Sequence, residues 1–305
     1  MANQISSPTD RRALLGAGFA FFAAIGFSGK AILVKLAYRY GVDAVTLLAL
    51  RMAFAVPIFL AAALWSGRRG QAKPVERRDW GAILLLGLAG YYLASLFDFM
   101  GLSYISAGLE RLVLFLYPTM VVILSALLYR RAIRRHEWLA LALSYAGIAL
   151  VFLHDVGGPQ QGVVLGTLLV FASTLTYSMY LIGTGHVVAR VGAMRFTAYA
   201  MLVASGATLL QFGLSHPLAA IRQPLPVYGL GLAMALFSTV LPVFMLSAGI
   251  RLIGSGHVSL IGSVGPVATI FMAAWFLGEP VSAMQIAGSA LVLAGVLSVG
   301  ARAGR

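Results

Sequence analysis

The chain has 305 residues, of which 60% are hydrophobic and only 10% are charged, and its mean hydropathy is +0.92. A water-soluble domain of this size would not tolerate such a composition, so the sequence predicts an integral membrane protein. The chain has no cysteine, which excludes disulfides, thiol catalysis and thiolate metal sites. The net charge of +13 would suit a nucleic-acid partner, but the positions of the charges contradict that interpretation.

Ten apolar stretches follow one another along the chain, each near the length of about 18–20 residues that crosses a bilayer. They are too long and too evenly apolar for the strands of a barrel, and irregular backbone cannot face lipid. The sequence therefore predicts an all-α polytopic membrane protein with ten transmembrane helices. The predicted spans cover residues 13–34, 44–65, 80–101, 107–129, 136–153, 162–185, 196–214, 226–250, 256–277 and 282–300.

Basic residues concentrate in alternate loops between these spans. With the N-terminus inside, 16 of the 22 Lys and Arg residues fall on the inner face, three on the outer face and three within spans. Membrane proteins keep Lys and Arg in cytoplasmic loops, so the bias predicts that both termini are cytoplasmic. We interpret the charge as a determinant of topology and as a contact for anionic lipid at the cytoplasmic face, and we expect no nucleic-acid partner.

The two halves of the chain resemble each other. A shift of 148 positions places residues 105–151 on residues 253–299 without a gap. The identities that coincide include Ile105/Ile253, Gly108/Gly256, Leu112/Leu260, Pro118/Pro266, Ala126/Ala274, Ala142/Ala290, Leu143/Leu291, Ala146/Ala294 and Gly147/Gly295. The sequence thus predicts a duplicated five-span unit, with halves at residues 1–155 and 156–305.

An odd number of spans per half fixes how the halves are related. The second copy must enter the bilayer from the opposite side, so the predicted fold is two inverted five-helix repeats. Exchange of shape between two such halves gives two conformations of similar energy, which is the physical basis of alternating access.

Each half ends with a run of small residues, a proline inside an apolar helix, a loop, and a final helix that carries Ala-Gly. These features lie at residues 106–108, 118 and 146–147 in the first half, and at 254–256, 266, 277–280 (Leu-Gly-Glu-Pro) and 294–295 in the second. The pattern resembles the EamA repeat of the drug/metabolite transporter superfamily. The Leu-Gly-Glu-Pro loop is the most specific string, and it is degraded at residues 129–132 of the first half.

The resemblance implies a cavity near mid-membrane that opens alternately to either side. It also implies that spans one, three, four, six, eight and nine line this cavity. Within the superfamily, the length and the aromatic content resemble the amino-acid exporters of the YddG type.

One helical face of span three carries Tyr91, Ser95 and Asp98, at spacings i, i+4 and i+7. A charge in hydrocarbon costs at least ~2.5–3.5 kcal/mol on insertion scales, so Asp98 needs a partner or a cavity. Two alternatives remain open. Asp98 either lies in the substrate path, where it attracts an amino group or carries a proton, or it lies near the outer interface, wet or paired with Arg111.

Three further ionisable residues lie within spans near the same boundary. Glu110 and Arg111 open span four, and Lys30 lies late in span one. Adjacent helix positions do not face each other, so Glu110 and Arg111 do not pair with one another. Arg111 with Asp98, or Glu110 with Lys30, would form interhelical pairs that act as structural staples or as an outer gate. Alternatively, Lys30 snorkels to the outer surface.

Hydroxyl and aromatic side chains on other spans complete the predicted substrate cavity, because such groups suit an apolar cavity with a few hydrogen-bonding tips. These candidates are Ser173, Tyr177 and Tyr180 on span six, Phe237 and Ser238 on span eight, and Ser263 on span nine. Prolines inside spans kink a helix and free an upstream carbonyl. The predicted hinges are Pro118, Pro242 and Pro266.

Enzymatic motifs are missing, since the sequence has neither a P-loop nor an HExxH motif, and we expect no enzyme, no cofactor and no metal site. The inverted repeat predicts a secondary transporter of small metabolites. We expect it to be monomeric and to lie in the bacterial inner membrane. With the resemblance, amino acids (aromatic ones included) become the leading exported substrates. The alternatives are a transporter of cationic drugs or nucleotide-derived metabolites, and an integral membrane binding protein without a transport cycle.

Overall fold

The computed structural model describes residues 8–68, 75–157 and 161–303, and within these ranges the chain is helical and has no strand. Nine helical spans are long and apolar enough to cross a bilayer, and a shorter apolar helix, Ala283–Ser298, follows them. The predicted all-α fold is confirmed. The α-helices are α1 (Pro8–Tyr38), α2 (Ala44–Arg68), α3 (Arg77–Gly87), α4 (Ala94–Leu102), α5 (Ala107–Leu114), α6 (Tyr117–Leu128), α7 (Arg135–Val156), α8 (Val163–Val191), α9 (Ala193–Ser215), α10 (Leu225–Ala235), α11 (Leu241–Gly262), α12 (Val264–Met272) and α13 (Ala283–Ala303).

Several spans consist of more than one helix. Span three is α3 and α4, joined by a π-helical turn at Leu88–Leu93, and span four is α5 and α6. Span eight is α10, a second π-helical turn at Leu236–Val240, and α11 up to Gly254, where the positive φ of 80° turns the chain into span nine. Span nine continues through α12 and a third π-helical turn at Ala273–Leu277. Spans one, two, five, six, seven and ten are α1, α2, α7, α8, α9 and α13.

Helix packing repeats when each span is replaced by its counterpart five spans later. Span one packs against span eight as span six packs against span three, and spans one and nine pair as spans six and four do. Spans two and seven, and spans five and ten, pack directly against their own counterparts. The fold is therefore two inverted five-helix repeats related by a pseudo-two-fold axis.

Two pairs of irregular points in the helices obey the same 148-residue shift. In span four the helix breaks after Leu114, and in span nine it breaks after Gly262. The π-helical turn at Leu88–Leu93 in span three matches the one at Leu236–Val240 in span eight. These two pairs of distortions therefore lie at equivalent positions in the halves, whereas the π-helical turn at Ala273–Leu277 has no counterpart at residues 125–129.

Spans five and ten meet at glycines. A Cβ on Gly147 would lie 2.5 Å from the carbonyl oxygen of Gly288, and a Cβ on Gly288 would lie 2.5 Å from that of Gly147. A Cβ on Gly295 would approach the carbonyl oxygen of Ala140 to 2.7 Å. Small residues let the two backbones touch, which is how helices associate tightly without a hydrophobic driving force.

The two ends of the bundle are named here by span one, which begins at the Arg12 end and finishes at the Tyr38 end. At the Tyr38 end, Asp43 caps span two by accepting hydrogen bonds from the backbone N–H groups of Val45 and Thr46, at 2.9 and 3.0 Å. Burial raises the pKa of the Asp43 carboxyl, but the hydrogen bonds from Thr46 and the nearby His216 outweigh it and the pKa is lowered.

At the Arg12 end, the guanidinium of Arg190 donates two hydrogen bonds to Oδ1 of the buried Asp79, at 3.0 and 2.6 Å. The pair joins the start of span three to the end of span six. Asp79 is also in the first turn of α3, where a negative charge favours the helix.

Candidate functional site

Two buried carboxylates converge on one ammonium group inside the bundle, towards the Tyr38 end. Nζ of Lys30 on span one lies 2.5 Å from Oδ2 of Asp98 on span three and 3.1 Å from Oε1 of Glu110 on span four. Both acidic residues are buried, at 2% and 0% exposure. These three residues, called the Lys30 cluster below, connect spans one, three and four by ionic contacts.

The lysine does not satisfy both carboxylates. Lys30 donates a hydrogen bond to Asp98, whereas its contact with Glu110 is an ion pair without hydrogen-bond geometry. Among the described residues, Oδ1 of Asp98 and both oxygens of Glu110 accept no hydrogen bond from a nitrogen or hydroxyl donor, and the two carboxyl groups lie within hydrogen-bonding distance of each other. Because a buried carboxylate oxygen without a donor is unfavourable, the Lys30 cluster has unused capacity for a cation with N–H groups.

Two arginines flank the Lys30 cluster. Nη2 of Arg51 on span two donates to Oγ of Ser95 at 3.2 Å, and its guanidinium carbon lies 5.1 Å from the centroid of the Phe99 ring. Arg111 is partly buried against span nine, where its Nη2 would lie 2.5 Å from a Cβ on Gly265. The region thus holds three basic and two acidic side chains, and groups of both signs can meet a zwitterionic ligand.

The structure gives Asp98 a partner that the sequence analysis did not offer it. Asp98 pairs with Lys30 and not with Arg111, and it is not wet, because spans one, three and four enclose it. Lys30 does not snorkel to the surface, since its ammonium is held by the two carboxylates. Glu110 does lie beside Lys30, whereas Arg111 has turned towards span nine.

Tyrosines from spans three, four and six form an aromatic cluster next to these charges. The hydroxyls of Tyr91 and Tyr180 are 2.9 Å apart, and the rings of Tyr177 and Tyr180 stack with centroids 5.6 Å apart. Tyr117 packs edge-on against Tyr177 at 5.8 Å. Arg111 acts electrostatically on both Tyr117 and Tyr177, which links the aromatic cluster to the charges.

Of the three residues predicted to share one face, Ser95 and Asp98 both lie in α4, whereas Tyr91 lies in the π-helical turn before it. Tyr91 contacts span six, Ser95 contacts span two, and Asp98 contacts span one. The π-helical turn at Leu88–Leu93 widens the helix next to Ser95, so α-helical spacing does not hold across it. Tyr117 was missed by the sequence analysis, although its position directly before Pro118 could have indicated it.

Phe237 does not belong to the cavity, because 60% of it is exposed on the surface of the bundle. It lies in the π-helical turn of span eight, which rotates this position outwards, whereas its neighbour Ser238 is buried. Ser173 donates to the carbonyl of Ala94 at 2.7 Å, so its hydroxyl holds spans six and three together. Ser263 is half-buried and donates to Leu260 O in its own helix.

Each predicted hinge proline follows a distortion. Pro118 and Pro266 come directly after the paired breaks in spans four and nine, and Pro242 follows the π-helical turn in span eight. A Cβ on Gly26 would lie 2.6 Å from Cγ of Pro242, so this ring is wedged against span one. A proline has no N–H to close the preceding turn, which accounts for the distortions. Motion at these positions stays a prediction.

Two matched seams separate the halves. Oγ of Ser28 on span one donates to Gly265 O on span nine at 2.9 Å, and Oγ of Ser178 on span six donates to Tyr117 O on span four at 3.3 Å. The two acceptors are 148 positions apart. Ser28 and Ser178 are buried, at 1% and 0% exposure, so both seams are closed.

At the Tyr38 end, the loop after span nine contacts helices of the first half. Glu279, from the Leu-Gly-Glu-Pro loop, accepts from the N–H of Ala107 with both oxygens, at 3.1 and 3.0 Å, and pairs with Lys35 at 3.2 Å. It therefore joins the starts of spans four and ten to the end of span one. The equivalent position in the first half is Arg131, which pairs with Glu137 on the following span.

A groove lies over each seam. The groove at the Tyr38 end has a volume of about 390 Å³ and a polar lining that includes Lys35, Arg39 and Glu279. Beside spans four and six, a groove of about 270 Å³ has an apolar lining that includes Leu128 and Met179. The two grooves occupy equivalent places in the inverted halves, but only the groove at the Tyr38 end is lined by charged side chains.

Comparison with known proteins adds the family. The model of the EamA-like transporter family matches residues 14–153 and residues 164–301, one match in each half. The boundaries at residues 1–155 and 156–305 themselves stay a prediction. The chain is 31% identical over 285 residues to "Uncharacterized transporter YcbK" of Bacillus subtilis (strain 168), covering 91% of this chain and 90% of that protein.

More distant similarities agree. An "Uncharacterized transporter" of Archaeoglobus fulgidus is 24% identical over 87% of this chain and 91% of its own length. A solved crystal structure superposes with a TM-score of 0.65 at 20% identity, covering 95% of this chain and 96% of that one, and thus shares its fold. On the two family matches and the 31% identity, this multi-pass membrane protein is a transporter that belongs to the EamA-like transporter family.

Proposed function

We propose that the protein is a secondary transporter that exports small metabolites by alternating access, and that amino acids, aromatic ones included, are its leading substrates. The observation that carries the proposal is the juxtaposition of the Lys30 cluster, Arg111 and the tyrosine cluster. An amino acid presents an ammonium, a carboxylate and a side chain. Carboxylates, a guanidinium and aromatic rings are the groups that complement them.

The inverted halves support the cycle. Closure at the seam between spans one and nine would alternate with closure at the seam between spans four and six, because the halves exchange shapes. Lys30, Glu110 and Arg111 would serve as gate or substrate contacts, and Pro118 and Pro266 as paired hinges. In the proposed topology the Arg12 end is cytoplasmic, where its basic loops contact anionic lipid of the bacterial inner membrane.

Counterflow tests the proposal. Purified protein, which we propose acts as a monomer, is reconstituted into vesicles preloaded with an unlabelled amino-acid mixture, and uptake of labelled amino acids is followed one by one. The expected result is transient accumulation of at least one of them above vesicles without protein. An Asp98→Asn protein that reconstitutes equally well serves as the matched control and is expected to accumulate less.

Other outcomes identify the alternatives. Exchange of cationic drugs or nucleotide-derived metabolites, with no amino acid exchanged, would replace the substrate class and keep the transport cycle. Binding without any counterflow would indicate an integral membrane binding protein.

A further inference from the structure

We propose that Asp98 and Glu110 form a binding site for a primary ammonium group, that Lys30 is its internal occupant, and that a ligand's ammonium binds there by displacing Lys30. The inference deepens the proposed function, on which it rests for the identity of the natural ligand. The chemistry of the site is argued from the Lys30 cluster alone.

Hydrogen-bond acceptors outnumber donors in the Lys30 cluster. One ammonium faces two carboxyl groups that come from different spans and lie within hydrogen-bonding distance of each other. Among the described residues, three of the four carboxyl oxygens accept no hydrogen bond from a nitrogen or hydroxyl donor. A purely structural ion pair would leave fewer acceptors unused at such depth. The site can therefore accept more N–H groups than Lys30 supplies in this conformation.

Lys30 is the member of the cluster that can leave. The side chain of Lys30 is 16% exposed, whereas those of Asp98 and Glu110 are 3% and 1% exposed. Lysine carries its charge on a flexible four-carbon stem, while the two shorter carboxylates are enclosed between spans three and four. Lys30 is thus the mobile member, and the carboxylates are the fixed site.

The departure of Lys30 is coupled to the arrival of another cation. While they are ionised, two buried carboxylates need a cation beside them, because breaking a buried pair leaves an uncompensated charge. Lys30 therefore leaves only as another cation arrives. Because Lys30 belongs to span one and the carboxylates to spans three and four, occupancy by a ligand releases span one from both.

The cation that suits the two carboxylates is a primary ammonium. A primary ammonium has three N–H donors, like Lys30, and can engage both carboxylates. A quaternary ammonium has none and would leave the same oxygens unpartnered. The expected ligands are thus primary amines, with or without a carboxylate that Arg111 can bind.

Chemical rescue tests the site without a known substrate. Lys30→Ala removes three methylene groups and the ammonium, which together correspond to propylammonium. The melting temperature of the purified variant is measured in detergent with increasing propylammonium chloride, and with equal concentrations of potassium chloride, tetramethylammonium chloride and 1-propanol. Saturable binding to the folded state should raise it by about 2–5 °C with propylammonium alone.

Two matched proteins make the result specific. The same titration on wild type should give a smaller rise, because the amine must first displace Lys30, and no rise is expected with Lys30→Ala/Asp98→Asn/Glu110→Gln. Should Lys30→Ala not fold, Lys30→Met with methylammonium chloride replaces it, since the thioether fills the stem's volume and leaves the carboxylates open. The proposal is overturned if propylammonium acts no better than potassium chloride, or equally on the triple variant.

The outcomes separate this inference from the proposed function. Rescue without amino-acid counterflow would keep the ammonium site and remove amino acids as substrates. Counterflow of an amino acid by wild type, with no rescue of either lysine variant, would keep the function and remove the site.

Discussion

Neutralising Glu279 should open the Tyr38 end of the bundle. Glu279→Gln removes the ion pair with Lys35 at 3.2 Å and the negative charge at the start of span four, while one amide oxygen can still accept from Ala107 N. Both ionic side chains are mostly buried, at 18% and 19% exposure, so the pair is screened less than a surface pair. The closed conformation should lose about 1–2 kcal/mol, from the charged hydrogen bonds and the helix dipole together.

That loss corresponds to a factor of about 5–30 in the equilibrium between the closed and open seam. Because the chain has no cysteine, Ser28→Cys introduces a single thiol that is buried where spans one and nine meet. The rate at which a maleimide labels this thiol in purified protein should rise by the same factor when Glu279→Gln is added. Lys35→Gln should give a similar rise, and the double variant little more, because the two residues share one interaction.

Ser178→Cys, at the matched seam between spans four and six, is the control and should label no faster in the Glu279→Gln protein. An unchanged rate at Ser28→Cys would refute the reasoning. Equal acceleration at both thiols would refute it too, since that result indicates general loosening of the bundle.

Three further predictions concern stability, measured as thermal unfolding of purified protein. Gly147→Ala should cost about 1–3 kcal/mol because its Cβ would press on backbone of span ten, whereas Gly213→Ala, with open space around its Cβ, should cost nothing; equal effects would contradict the proposed close packing. Asp79→Asn should destabilise the protein by about 1–3 kcal/mol by weakening the bond to Arg190, and a melting temperature equal to wild type would contradict this. Asp43→Ala should cost about 0.5–2 kcal/mol at neutral pH through the lost cap. Since the pKa of this carboxyl is lowered by folding, its contribution is present above the ordinary carboxyl range and should be lost as the pH falls through the lowered pKa; a difference from wild type that persists in acid would be inconsistent with it.

The sequence was sufficient for the architecture because each element of that prediction is a one-dimensional signal. Hydropathy fixes the spans, since a bilayer demands about twenty apolar residues per helix. The shift of 148 and the odd number of spans predicted the inverted repeat, which the exchange pattern of helix contacts confirms. Pro118 and Pro266 predicted distortions, and helix breaks precede both.

The sequence was insufficient for the partners of its own polar residues. It offered Arg111 as the partner of Asp98 and Lys30 only as the partner of Glu110, because span three's rotation depends on a π-helical turn that no local residue pattern announces. A similar turn in span eight moved Phe237 from the predicted cavity to the surface. Glu279 was noticed only as part of a family motif, although it crosses between helices.

The sequence by itself determined that this protein is a ten-span membrane protein with two opposed halves, because burial in lipid and the count of spans depend on composition and order alone. Only the tertiary structure decided that one lysine faces two carboxylates and that Glu279 joins the starts of spans four and ten to the end of span one. Those facts depend on helix rotation and on distances of a few ångströms between spans far apart in sequence, which packing of the whole bundle sets.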